Sequence, residues 1–248
     1  MLNYIRAELY RNFNRMYFWV FTGLVAALAL TVTIIGKANN ISQINFSMLL
    51  GSSLYVLTAA VFIIVPYIDM VTAEENKHQT MRNVITFGVP RYKLILSKLI
   101  VSVILSFIAA FIIFGVFYGS AAALFGIDQG VKEVLPMVLK RILTAIPLWI
   151  GAVSIGTFLG MAINSNTIFS FVYGGVFLLT SKIFQLLAYI VSDKFEYLRR
   201  YLITNRLGAL SDPKMTVNEL YYAAFIGLAY TVIFTVLSIV YFNRKEIK

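Results

Sequence analysis

Along this chain apolar residues run together in long blocks instead of alternating with polar ones. No Asp, Glu, Lys or Arg occurs in residues 16–36, 38–68, 99–127, 142–181 or 220–243. A helix of about 20 apolar residues crosses a hydrocarbon layer of roughly 30 Å, so every block is long enough to span a membrane. The fourth block is forty residues long, and Asn164-Ser165-Asn166 at its middle supplies turn-forming residues that fold it into two passes. The pattern predicts an all-α membrane protein with spans near 17–36, 47–70, 96–125, 140–163, 167–191 and 220–242. Six spans use about 120–150 residues, so residues 1–248 are expected to form a single transmembrane domain of spans, loops and tails.

The polar margins add detail. Before the first span, Leu2, Ile5, Leu9, Phe13 and Met16 recur at helical spacing with Arg6, Arg11 and Arg15 mostly between them. This suits an interfacial helix over residues 1–16, with an ordinary charged flank as the alternative. The apolar run from Met16 to Gly36 exceeds the 7–15 residues of a signal core, so it reads as a retained span. Thr72-Ala73-Glu74-Glu75 has the form of a capping box, Gly88 is a stop signal and Pro90 prevents continuation. Together they predict a helix near 73–87, between spans two and three. Lys182 falls inside the fifth apolar block, where a mid-bilayer charge costs about 2.5–3.5 kcal/mol. The favoured reading is a span that ends or breaks there. Snorkelling and a polar cavity are the alternatives. Beyond it, the Asp193/Glu196 spacing and Phe195, Leu198, Leu202 and Asn205 predict an amphipathic helix near 193–207, and Thr216/Glu219 a capping box opening the last span.

Charge sets the expected orientation. Arg6, Arg11 and Arg15 precede the first span and only Lys37 follows it, which places the N-terminus in the cytoplasm. An even number of crossings returns Arg244, Lys245 and Lys248 to the same side, together with Lys77, Arg82, Arg91, Lys93 and Lys98 of the second loop. The net charge of +10 is carried by clusters flanking the spans, where they meet lipid headgroups, and nucleic acid is not an expected partner. The absence of cysteine rules out disulfides, thiolate metal sites and a Cys nucleophile.

The second loop carries the most specific wording. Glu75-Asn76-Lys77-His78-Gln79-Thr80-Met81-Arg82-Asn83-Val84, Phe87-Gly88-Val89-Pro90-Arg91 and Leu96-Ser97-Lys98-Leu99 resemble the membrane subunits of type-2 ABC transporters. Gln79 departs from the glycine that many relatives carry. The layout of six spans, N-in and C-in, with an N-terminal interfacial helix and outer helices between spans five and six, is also similar. Within that group the chain looks closest to small Gram-positive permeases of peptide-antibiotic immunity and peptide export.

The resemblance implies that the 73–87 helix is a cytoplasmic coupling helix. It implies a coupling role for Glu75, Thr80, Gly88, Arg91 and Lys98, with Arg82 on the same helix. It further implies a separate ABC ATPase subunit binding ATP and Mg, a second permease copy or a related one, residence in a bacterial cell membrane, and export of amphipathic or antimicrobial peptides. A solvated loop that serves only topology is the plain alternative.

Several absences bound the reading. No G-x-x-x-x-G-K-[ST] phosphate loop occurs, so no nucleotide site, cofactor or catalytic residue is expected in this chain. Glu74-Glu75 invites comparison with prenyl-protein proteases, but position 79 is Gln, and His78 is the lone histidine, with no partner for a metal. An ATP-independent carrier or channel would need ionisable groups at mid-membrane, and the charge-free cores argue against it. Gly115-x-x-x-Gly119 and Gly156-x-x-x-Gly160 offer close helix approach, either between subunits or, as the preferred reading, within one.

Overall fold

The computed structural model describes residues 1–39, 44–74 and 89–244. Every regular element among them is helical. Five helices are long and apolar enough to cross a membrane, and a bent pair makes a sixth crossing.

Helix α1 (Leu2–Phe13) lies across the start of the third span and leads through Asn14 and Arg15 into α2 (Met16–Ala38), the first crossing. In α2 the large side chains Val20, Leu24, Leu28 and Ile35 are exposed, while Phe18, Thr22, Ala26 and Thr33 are buried. This inversion fits a lipid environment. Apolar side chains lose nothing against acyl chains, and small hydroxyls bond between helices. Thr22 Oγ1 lies 2.9 Å from Tyr67 Oη, and Thr33 Oγ1 lies 2.9 Å from Ser120 Oγ.

The second crossing is not the continuous helix predicted over 47–70. It comprises α3 (Phe46–Ser52), a 3-10 turn (Ser53–Leu57), α4 (Ala60–Ile63), α5 (Val65–Ile68) and a π turn (Asp69–Ala73). The axis bends by 64° between Phe46–Leu57 and Ala60–Ala73. Three features interrupt the helical ladder along this crossing. Ser52 and Ser53 hydroxyls donate back to the carbonyls of Leu49 and Leu50, which competes with the helical ladder. Pro66 has no N–H to offer the preceding turn. Carbonyls loosened from the ladder meet partners on other helices: Trp149 Nε1 donates to Leu57 O at 3.1 Å and Tyr173 Oη to Val61 O at 3.2 Å.

Helix α6 (Arg91–Phe125), the third crossing, has 35 residues, so at about 1.5 Å per residue it is some 50 Å long and projects well beyond a bilayer core. It stops at Gly126, whose φ of +72° suits a residue without Cβ. Helix α7 (Val131–Ala162) likewise begins before its predicted span at 140. It turns at Ile163–Ser165 into α8 (Asn166–Ile190), as the Asn-Ser-Asn signal predicts. Lys182 does not end α8; the helix runs past it, and the exposed lysine faces a recess shared with Asp193 and Glu196.

Two short helices, α9 (Lys194–Arg199) and α10 (Ile203–Ala209), replace the single helix predicted over 193–207. The Asp193 side chain caps neither, and the Lys194 N–H is taken by Ser192 Oγ. Nor does Thr72 cap a new helix. It lies inside the π turn, buried, with no partner for its hydroxyl among the described residues. The Thr216 box does form before α11 (Val217–Arg244): Thr216 N donates to Glu219 Oε2 at 2.7 Å, and Glu219 N reaches Thr216 Oγ1 at 3.4 Å.

The core gathers around α7. Its tightest seam is with α11, where a Cβ on Gly227 would lie 2.4 Å from the carbonyl carbon of Pro147. Gly156 and Gly160 pack inside the same chain, against Ile68 and Tyr173 and against Thr72. Gly115 and Gly119 have open space before them. The preferred reading of the glycine pairs therefore holds for the fourth span.

Candidate coupling site

Glu75, Thr80, Arg82 and Gly88 lie outside the described residues, as does the body of the predicted 73–87 helix. Glu74, which closes the second crossing, and Arg91 and Lys98, at the start of α6, frame that segment. All three engage other helices.

Arg91 is the first residue of α6, after Pro90. Its Nη1 donates to the carbonyls of Phe242 and Asn243 at 2.9 and 3.0 Å. These carbonyls belong to the last turn of α11, where intrahelical donors run out and a cation is favoured. The guanidinium also lies 6.0 Å from the Phe242 ring centroid. Arg91 thus fastens the exit of the second loop to the final span.

Lys98 is wholly buried. Its Nζ donates to Glu8 Oε2 at 2.9 Å and lies 5.8 Å from the ring centroid of Tyr4. Glu8 also receives Arg11 Nη2 at 2.7 Å and, more loosely, Asn12 Nδ2 at 3.4 Å. A buried carboxylate needs such company, because desolvation of an unpaired ion costs several kcal/mol. Arg15 Nη1 donates to Glu74 Oε2, bridging the end of α1 to the end of the second crossing. Nearby, Asn166 Nδ2 lies 3.5 Å from Asp69 Oδ2, linking the π turn to the start of α8.

One end of the bundle therefore collects α1, the end of the second crossing, the start of α6 and the end of α11, joined by charge-assisted bonds. Sequence reasoning named Arg91 and Lys98 but passed over Glu8 as the partner of Lys98 and over the pairing of Arg15 with Glu74. A signal for Glu8 existed. It is the first acidic residue of the chain, sixty-one positions before Asp69, and it shares a helical face with Ile5 and Asn12. Among the described residues no three His, Asp or Glu side chains gather as a metal site would require.

These features define a class: a multi-pass helical membrane protein with a charged junction at one end of its bundle. The model of the ABC-2 family of transporter proteins matches residues 5–181, most of the chain, and the protein belongs to that family. No curated protein matches the chain closely enough to add a relative. It is accordingly a permease of the plasma membrane whose family works with an ABC ATPase carried on a separate subunit.

Proposed function

We propose that this chain is the permease half of an exporter in which two permease copies, identical or related, work with two ATPase subunits. The N- and C-termini and residues 75–88 face the cytoplasm, and ATP and Mg bind on the ATPase alone. Movement of residues 75–88, driven by the ATPase, enters the membrane through α6 and the second crossing. The supporting observation is the junction around Lys98 and Arg91, where four elements meet beside that segment. Lys98, being buried, acts as a relay to α1 rather than as a surface presented to the ATPase. Glu75, Thr80, Arg82 and Gly88 remain the proposed contact residues. The bent second crossing, with its carbonyls held by side chains of α7 and α8, offers a place where a tilt changes the pathway.

The proposed cargo is an amphipathic or antimicrobial peptide, which the apolar, largely charge-free spans suit. The test is reconstitution with its partner ABC ATPase. Glu75→Ala and Arg91→Ala should leave insertion and assembly intact and lower transport about tenfold or more at unchanged basal ATP hydrolysis. Normal peptide export by both variants would reduce the segment to a topological loop.

A further inference from the structure

At the end of the bundle away from α1, α9 and α10 fold back over α8 and border an open cleft of about 640 Å³. Ser181 Oγ donates to Asn205 Oδ1 at 2.8 Å and Asn205 Nδ2 to Arg199 O at 2.9 Å, which fixes these two helices to the fifth crossing. Three arginines line the cavity, Arg199, Arg200 and Arg206, against one carboxylate, Glu196. That carboxylate is engaged, with Oε1 lying 3.1 Å from Arg199 Nη2. Glu219, the acid nearest Arg206 on α11, is held by the N–H and hydroxyl of Thr216.

Among the described residues no carboxylate pairs with Arg200 or Arg206. Arg200 lies over the ring of Tyr197 at 5.3 Å and Arg206 over that of Tyr222 at 4.8 Å. Stacking uses the face of a guanidinium and leaves its N–H groups to donate in the plane. Arg206 Nε is closed off from solvent and finds no acceptor, a deficit that buried donors rarely carry. Two guanidinium groups held against aromatic rings therefore line the cavity.

Its floor is apolar. Phe177 and Thr204 also border a second cavity of about 210 Å³ that reaches down between α7, α8 and α11, past Phe158, Val176 and Phe234. A basic cleft at the end of the bundle thus lies beside an oily crevice among the spans, with Phe177 and Thr204 bordering both. A free anion needs the first and has no use for the second.

We propose that this double cavity binds an anionic membrane lipid, its phosphate between Arg200 and Arg206 and one acyl chain in the crevice beneath. All three arginines lie beyond the stretch matched by the family, which ends at Ser181. The proposal does not rest on the coupling reading. The ligand occupies the opposite end of the bundle and needs no nucleotide.

The experiment uses the full chain in nanodiscs of phosphatidylcholine doped with phosphatidylglycerol, with retained lipid read by native mass spectrometry. Arg200→Gln, at an exposed position, should lower phosphatidylglycerol retention severalfold, and the Arg200→Gln/Arg206→Gln pair by about tenfold or more, the worth of a charge-assisted bond. Thr180→Phe, which fills the crevice, should lower it while leaving both arginines in place. Added inorganic phosphate should not displace the lipid. Undiminished retention in the paired variant would overturn the proposal. So would equal retention of phosphatidylcholine, or displacement by phosphate, which would assign the cleft to a free anion.

Discussion

Lys98 occupies the apolar beginning of a membrane helix and is completely buried, a placement that water-to-membrane transfer alone would forbid. Glu8 makes it possible, and the pair's meaning follows from its burial. Removing one partner strands the other ion, which costs about 3–5 kcal/mol, whereas replacing both with isosteres is far less harmful. Lys98→Ala should therefore lower the thermal unfolding temperature in detergent by an amount equivalent to about 3 kcal/mol. The Glu8→Gln/Lys98→Met pair should recover most of that loss. Arg11, already on Glu8, tempers the cost without supplying a buried donor. Equal destabilisation by single and double variants would mean that the ion pair is incidental to packing. Residue-scale reading of the sequence could find Lys98 by its resemblance. The sequence marks Glu8 as an isolated acid but does not pair it with Lys98 ninety positions away, because only the crossing of α1 over α6 brings the two together.

At the scale of elements, charge gaps located every crossing, because exclusion of ions from hydrocarbon is a local rule that each residue obeys alone. Boundaries were less legible. Helix α6 starts at Arg91 and α7 at Val131, because a helix projecting from the membrane can carry charges that a span cannot. The break at Thr58–Ala59 was hidden for another reason: it depends on Trp149 and Tyr173 receiving freed carbonyls, and periodicity carries no record of such distant donors. Capping signals divide in the same way. Thr216 faces free N–H groups at a true helix start, while Thr72 sits within helical backbone that leaves it none to accept. The α7–α11 seam shows how far element packing depends on one absent methyl. Gly227→Ala would press a Cβ into the Pro147 backbone at 2.4 Å, where nothing flexible can yield. Overpacking of this kind costs about 1–3 kcal/mol or more, so the variant should lose thermal stability in detergent. Gly115→Ala, facing open space, should match the parent. Parity between the two variants would contradict the backbone contact between these helices.

On the scale of the whole molecule, α1, the end of α11 and the residues flanking 75–88 lie at one end, and α9 and α10 cover the other. The absence of native cysteine permits a direct test of orientation. Asn3→Cys should react with a membrane-impermeant maleimide only in permeabilised cells, and Lys214→Cys in intact ones. The opposite labelling pattern would invert the proposed topology. A second test concerns what the polar junction transmits. Arg15 and Glu74 remain about a third exposed, at 30% and 39%, so their attraction contributes little stability after solvent screening, about 0–1 kcal/mol. Their worth must then be geometric. They hold α1 and the end of the second crossing in one register beside the segment proposed to meet the ATPase. Arg15→Glu and Glu74→Arg should each reduce transport severalfold with little change in thermal stability, because each places like charges together. Combining them restores an attractive pair with reversed polarity, and transport should return towards the parent level. Rescue would show that α1 moves as part of the lever. Failure of the swap, with both single variants impaired, would instead mean that one of these side chains touches the ATPase itself, and the path of force would have to be redrawn through α6 and Arg91 alone.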